Sequence, residues 1–282
     1  MRIYRTAKGN LLEKEKSYFS LPDNWDALIN RGSLHEYLGE IIAAKDPLPE
    51  ADALNWIDNH LLPPIGSQEV WAAGVTYLRS RDARMEESVD AGGATLYDKV
   101  YSAARPELFF KSLPHRVSGH GDKVYIRKDS DWNVPEPELA LFINTDGDIQ
   151  AYTIGNDMSS RSIEGENPLY LPQAKIYEKS AALGPCLFVP GKPIEKDTTI
   201  EMVIKRNNIE VYRDSTPISK MKRSLPELVS YLYRECDFIY GSFLMTGTCL
   251  VPPDDFTLRE DDIVDISIDG IGVMTNIIST KP

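Results

Sequence analysis

Glu136 and Glu138, in Pro135-Glu-Pro-Glu138, are two carboxylates at i and i+2. In an extended segment, side chains two apart point to the same side, and the two prolines hold this segment extended. Like charges held on one face repel unless a cation lies between them. A solvated acidic turn is the plain alternative, but the pair runs directly into Leu139-Ala-Leu-Phe-Ile143, which reads as the start of a buried strand. A second run, Ile149 to Ile154, follows Asp146-Gly147, and that dipeptide marks a β-hairpin. A hairpin centred there sets Glu136 and Glu138 across from residues near 157 and 155, bringing Asp157 beside the glutamates. Three carboxylates without His or Cys make a hard oxygen site, suited to Mg²⁺, Mn²⁺ or Ca²⁺ rather than Zn²⁺. Three protein ligands leave about half of an octahedron for water and a bidentate substrate.

Other elements must frame this hairpin. Thr199 to Arg213 pairs around Asn207-Asn208, and Asp262 to Ile278 around Asp269-Gly270. Ser224-Leu-Pro-Glu227 reads as a capping box, followed by Leu225, Leu228, Val229, Leu232 and Tyr233 at helical spacing. The first 65 residues read as a separate unit. It has a strand at 3–6, a turn at 8–10, a helix opened by a capping box at Ser33-Leu-His-Glu36, and a second helix from Ala51 to Leu62. Pro63-Pro-Ile-Gly66 then breaks the chain. The pattern predicts an α+β protein, predominantly β, with a small α/β domain over 1–65 and a catalytic domain over 66–282. Arg79 to Ala104, charged and then glycine-interrupted, reads as a mobile lid flanked by helical pieces. Asp157 to Ala182 is too rich in polar groups for a core strand, and such stretches carry function.

Composition narrows the partners. The 282 residues are 42% hydrophobic and 26% charged, ordinary for a globular chain and unlike a disordered one. Lys+Arg 31 against Asp+Glu 43 gives a net charge of −12, which argues against nucleic acid or an anionic membrane as partner. Cys186, Cys236 and Cys249 lie far apart, fitting a reduced, cytoplasmic setting. No apolar run approaches the ~18 residues a membrane span needs.

Glu136-x-Glu138, Asn156-Asp157-x-Ser159-x-Arg161, Lys175, Gly184-Pro185 and Thr246-Gly-Thr248, in this order, resemble the fumarylacetoacetate hydrolase superfamily over roughly residues 66 to 282. Arg105-Pro-Glu-Leu-Phe-Phe-Lys111, Gly119-His-Gly121 and Glu166 to Tyr177 are similar to the branch containing 2-keto-3-deoxy-D-arabinonate dehydratase, with its small N-terminal domain. The resemblance implies a mixed β-roll core of the family's C-terminal type and a divalent metal, Mg²⁺ first, held by Glu136, Glu138 and Asp157. It also implies a substrate bearing a 2-oxo acid or 1,3-dicarbonyl unit, and a homo-oligomer, dimer or tetramer. In the resembling branch Glu107 and Lys175 stand where acid–base work is expected. Lys111, Thr248, Tyr77 and Arg161 are the candidate substrate-binding residues. Their plainer alternatives are an ion pair with one of the acids for Lys111, a tight turn at Thr248 and packing for Tyr77.

Hydrolases of the superfamily carry an Asn-Tyr-x-x-His-x-x-Glu segment whose His and Glu activate water. The stretch here is Thr76-Tyr-Leu-Arg-Ser-Arg-Asp-Ala83, with Ser80 and Ala83 at those positions. The expected reaction is therefore dehydration of a 2-keto-3-deoxy sugar acid of pentonate type. An acylpyruvate-type hydrolase, an oxaloacetate-type decarboxylase and a non-catalytic sugar-acid-binding protein are the alternatives.

Overall fold

The computed structural model describes residues 1–87 and 94–282. The hairpin around Asp146-Gly147 forms the middle of the larger sheet. Every residue of the strand Pro137–Ile143 is buried. Leu139, Leu141 and Ile143 enter one apolar core while Ala140 and Phe142 enter a second. A strand covered on both faces reads as a continuous apolar run, which is why this segment does not alternate. Its partner Ile149–Asp157 lies antiparallel, with Pro137 opposite Asn156 and Glu138 opposite Gly155. The turn is held by Asn144 Oδ1, which accepts from the N–H groups of Asp146 (3.1 Å) and Asp148 (2.8 Å). Gly147 supplies the left-handed residue that this turn needs (φ +85).

Around this hairpin the larger sheet is ordered Ser17–Leu21, Gly9–Lys14, Arg2–Thr6, Ala181–Phe188, Ile149–Asp157, Pro137–Ile143, Ser242–Met245, Glu69–Gly74 and Glu107–Ser112. The order makes a mixed sheet, because Ser242–Met245 runs parallel to Glu69–Gly74. A smaller five-stranded sheet contains both other expected hairpins, Thr199–Arg206 with Ile209–Pro217 and Ile263–Ile268 with Gly272–Thr280, together with Lys123–Ile126. Asn207 and Asn208 both have positive φ (52 and 62), the turn geometry that matches strand twist. The first core lies between the sheets, where Leu139 and Ile154 join Met202, Ile266 and Met274.

Residues 1–62 extend the larger sheet through Arg2 and Ile3, which pair with Phe188 and Leu187. Their Trp25, Leu28, Leu34 and Leu38 complete the second core against Ala140, Phe142 and Phe243. Three local readings differ in detail. The helix Leu34–Ala43 forms, but Ser33 takes a left-handed conformation (φ 49) and makes no capping bond. The Leu34 N–H instead donates to Gln150 Oε1 (3.0 Å), so tertiary contact replaces the capping box. The second helix runs Glu50–His60, and Leu61–Leu62 leave it to pair with Thr6 and Arg5. Gly9 belongs to a strand rather than to the turn before it.

The helix Leu225–Leu232 forms as expected, with Ser224 Oγ accepting from the Glu227 N–H (3.3 Å). Helices Leu78–Glu87 and Ala94–Ser102 supply the helical pieces expected between 79 and 104; residues 88–93 of that segment lie outside the described residues. Among the described residues, no helix is long and apolar enough to cross a membrane.

Candidate active site

Glu136, Glu138 and Asp157 are all buried, and one oxygen of each lies within 4.8 Å of the others. The hairpin register produces this. The Asp157 N–H donates to Glu136 O (2.9 Å), so the two acids face each other across the strands. Directly opposed like charges destabilise a sheet unless something compensates them. The cavity that the three carboxylates share with Gly74, Phe109 and Thr248 measures about 10 Å³, room for one water-sized sphere.

Buried cations do the compensating. Lys175 Nζ donates to Glu136 Oε2, to Asp157 Oδ2 (3.1 Å) and to Ser159 Oγ (2.5 Å). Lys111 Nζ lies 2.6 Å from Asp157 Oδ1 and donates to the carbonyls of Met158 (3.0 Å) and Lys175. Arg161 pairs with Glu136 Oε1 (2.7 Å) and with Glu164 Oε2 (2.5 Å). Glu138 accepts from the Gly247 N–H (2.6 Å). Burial, then the facing carboxylates of Asp157 and Glu136, push the Glu138 carboxyl well above its ordinary range. Burial pulls the Lys111 ammonium down, opposed by Asp157. An ammonium bridging two carboxylates and a third acid driven toward its protonated form show a site short of positive charge. The oxygen-only donor set fits a hard divalent cation, which Glu136, Glu138 and Asp157 would hold.

The edge strand Glu107–Ser112 supplies the next groups. It pairs with Glu69–Gly74, and its register slips at Lys111, the extra residue of a β-bulge. A bulge re-aims a side chain, and here it delivers the Lys111 ammonium to Asp157. Glu107 lies opposite Gly74, which lines the cavity. The Glu107 carboxylate occupies the space a side chain at 74 would need: a Cβ on Gly74 would stand 1.9 Å from Glu107 Oε2. Gly74→Ala is therefore expected to leave the fold intact but displace the Glu107 carboxylate. It should lower kcat with little change in Mg²⁺ affinity, measured by steady-state kinetics beside calorimetric metal titration.

The remaining sequence candidates fall in two places. Thr248 lines the cavity and its Oγ1 accepts from the Leu250 N–H (3.3 Å). Tyr77 is fully buried; burial first, then Cys249 and Glu138, raise its hydroxyl pKa. Ser80 also lines the cavity, but its Oγ is engaged in its own turn, donating to Tyr77 O (2.8 Å) and accepting from Tyr77 N (3.2 Å). A serine hydroxyl so engaged is no substitute for a water-activating imidazole. The Ala83 side chain lies outside the described residues. Sequence reasoning passed over Phe109 and Glu164. Phe109 precedes Lys111 by two positions, and Glu164 follows Arg161 by one helical turn in Arg161–Glu166; those spacings were the available signals.

The profile of the fumarylacetoacetate hydrolase C-terminal domain matches residues 83–279. The chain belongs to the fumarylacetoacetate hydrolase family. Among similar members, a Haloferax volcanii protein named probable 2-keto-3-deoxyxylonate dehydratase is 44% identical over 90% of this chain and 86% of its own. The 2-dehydro-3-deoxy-D-arabinonate dehydratase of Saccharolobus solfataricus is 39% identical over 88% of this chain and 84% of its own. A solved structure of 2-keto-3-deoxy-D-arabinonate dehydratase complexed with magnesium and 2,5-dioxopentanoate superposes with a TM-score of 0.84 at 31% identity, covering 100% of this chain and 99% of that one. The α+β, predominantly β fold is thus that of this hydrolase family.

Proposed function

We propose that this member of the fumarylacetoacetate hydrolase family is a Mg²⁺-dependent dehydratase of a 2-keto-3-deoxy sugar acid of pentonate type. The observation that carries the reading is the buried Glu136–Glu138–Asp157 group with Lys175 against it and Glu107 over Gly74 of the same cavity, while Ser80 stands where water activation needs an imidazole. The dehydratase relatives support the same reaction class.

A divalent cation held by the three carboxylates would polarise the carboxylate and C2 carbonyl of a 2-oxo acid, making the C3 protons acidic. Glu107 takes the C3 proton. Lys175 stabilises the negative charge that gathers on the C2 oxygen, because its ammonium already lies against two of the acids. The C4–O bond then breaks as the hydroxyl receives a proton from Glu107, and loss of water gives an unsaturated 2-oxo acid. Loss of a C5 proton and gain of one at C3 convert it to a C4–C5 enol, whose hydroxyl proton moves to C4 to give the C5 aldehyde. Lys111, Thr248 and Tyr77 shape the substrate side of the site. Arg161, clamped between Glu136 and Glu164, serves the substrate's anionic end through the field of its guanidinium. A homo-oligomer, dimer or tetramer, and a cytoplasmic setting accompany this reading. The outermost strand Ile209–Pro217 exposes Ile209 and Val211, and all three cysteines are free.

The test compares three reactions under identical conditions: a 2-keto-3-deoxypentonate, an acylpyruvate and oxaloacetate, each after chelator treatment and after Mg²⁺ return. Dehydration of the sugar acid should dominate, vanish with chelator and return with Mg²⁺ or Mn²⁺. Fast acylpyruvate cleavage without dehydration would move the chain to the hydrolases.

A further inference from the structure

Glu164 is a fourth buried carboxylate beside the candidate metal ligands, 2% exposed, in the short helix Arg161–Glu166. Its Oε2 pairs with Arg161 Nη1 at 2.5 Å and its Oε1 lies 3.4 Å from Lys175 Nζ. Both of those cations also hold Glu136. Glu164 thus acts on the site through Arg161 and Lys175, and through its own charge.

At the site the described residues place four buried carboxylates (Glu136, Glu138, Asp157, Glu164) among three buried cations (Lys111, Arg161, Lys175). A divalent cation adds two positive charges for an anionic ligand to meet. Each carboxylate of the ligand takes up one of them, and a second carboxylate must be buried within the field of the Glu164 charge, which is costly. We propose that Glu164 is a specificity-determining residue, whose charge beside Arg161 and Lys175 makes the metal-loaded site prefer 2-oxo acids with one carboxylate over diacids. The inference deepens the proposed function and rests on its metal-bound 2-oxo acid. Glu107 changes charge during the reaction whatever stands at position 164, so it does not alter the comparison.

Oxamate and oxalate are close in size and shape, each can chelate a divalent cation through two oxygens, and they carry one and two charges. Their affinities for the Mg²⁺-loaded protein, measured by calorimetry, read the preference without turnover. Glu164→Gln should shift the affinity ratio toward oxalate by at least about tenfold, the order expected for one unit charge roughly 12 Å away at an effective dielectric of about 20. Glu164→Asp, which keeps the charge, should leave the ratio close to that of the unaltered protein. If Glu164→Gln does not reach the native fold, Arg161→Gln is compared with the double change Arg161→Gln/Glu164→Gln, which removes both partners of the pair together. Arg161→Gln should favour oxamate, and the added Glu164 change should return the ratio. An unchanged ratio in Glu164→Gln, no return in the double change, or an equal shift in Glu164→Asp overturns the proposal. Because neither anion reacts, a chain that binds both as expected yet dehydrates nothing would fault the reaction assignment alone. Binding of neither would overturn both.

Discussion

Glu107→Gln is expected to lower kcat by roughly 10²–10⁴, the usual worth of a general acid–base group. The substitution keeps the side chain's size and its place over Gly74, and removes only the ability to take and return a proton. Glu107 stands outside the Glu136–Glu138–Asp157 group, so Mg²⁺ affinity should stay nearly unchanged. Glu138→Gln behaves differently. It removes one oxygen ligand, weakens Mg²⁺ binding, and leaves activity that high Mg²⁺ partly restores. Steady-state kinetics across a Mg²⁺ series, paired with metal titration of each variant, separates the two. A Glu107→Gln protein with near-normal kcat would move the proton transfer to Lys175 or to a bound water.

Lys175→Met should show the second large effect, in stability and in catalysis together. The Lys175 ammonium serves Glu136, Asp157 and Glu164 at once. Taking one partner from a buried ion pair costs about 3–5 kcal/mol, because the remaining charges stay buried without it. Metal-free Lys175→Met should lose stability of that order in denaturant unfolding. Mg²⁺ at a hundred times its Kd should return about 2.7 kcal/mol, since it binds the folded state alone. Its kcat should fall and its KM should rise, as the same charge serves the bound anion and the developing negative charge. Unchanged stability without metal would mean that this lysine does not carry the carboxylates' charge.

The hairpin and its consequences were legible in the sequence because they rest on local chemistry. Asp146-Gly147 sets the turn, the turn sets the register, and the register alone places Asp157 opposite Glu136. The Asn207-Asn208 and Asp269-Gly270 hairpins were legible for the same reason. Long-range pairing was not. The parallel contact of Ser242–Met245 with Glu69–Gly74, and the joining of Arg2 and Ile3 to Ala181–Phe188, leave no local mark in composition or spacing. The Ser33 capping box failed because a distant side chain, Gln150, satisfies the helix N-terminus. In the site, Lys111 had an open choice between substrate and an acid. The bulge in its strand places it against Asp157, a displacement that residue types alone do not encode. Glu164 escaped notice because an isolated Arg/Glu pair one turn apart is ordinary on exposed helices, and only burial makes it notable.

The most direct measurement of the central claim is the mass of the product formed when the Mg²⁺-loaded protein meets a 2-keto-3-deoxypentonate. The account predicts a single product lighter than the substrate by one water and carrying an aldehyde, absent when Mg²⁺ is removed by chelator. An unchanged substrate at saturating Mg²⁺, or a product formed by loss of carbon dioxide or by carbon–carbon cleavage, would contradict it.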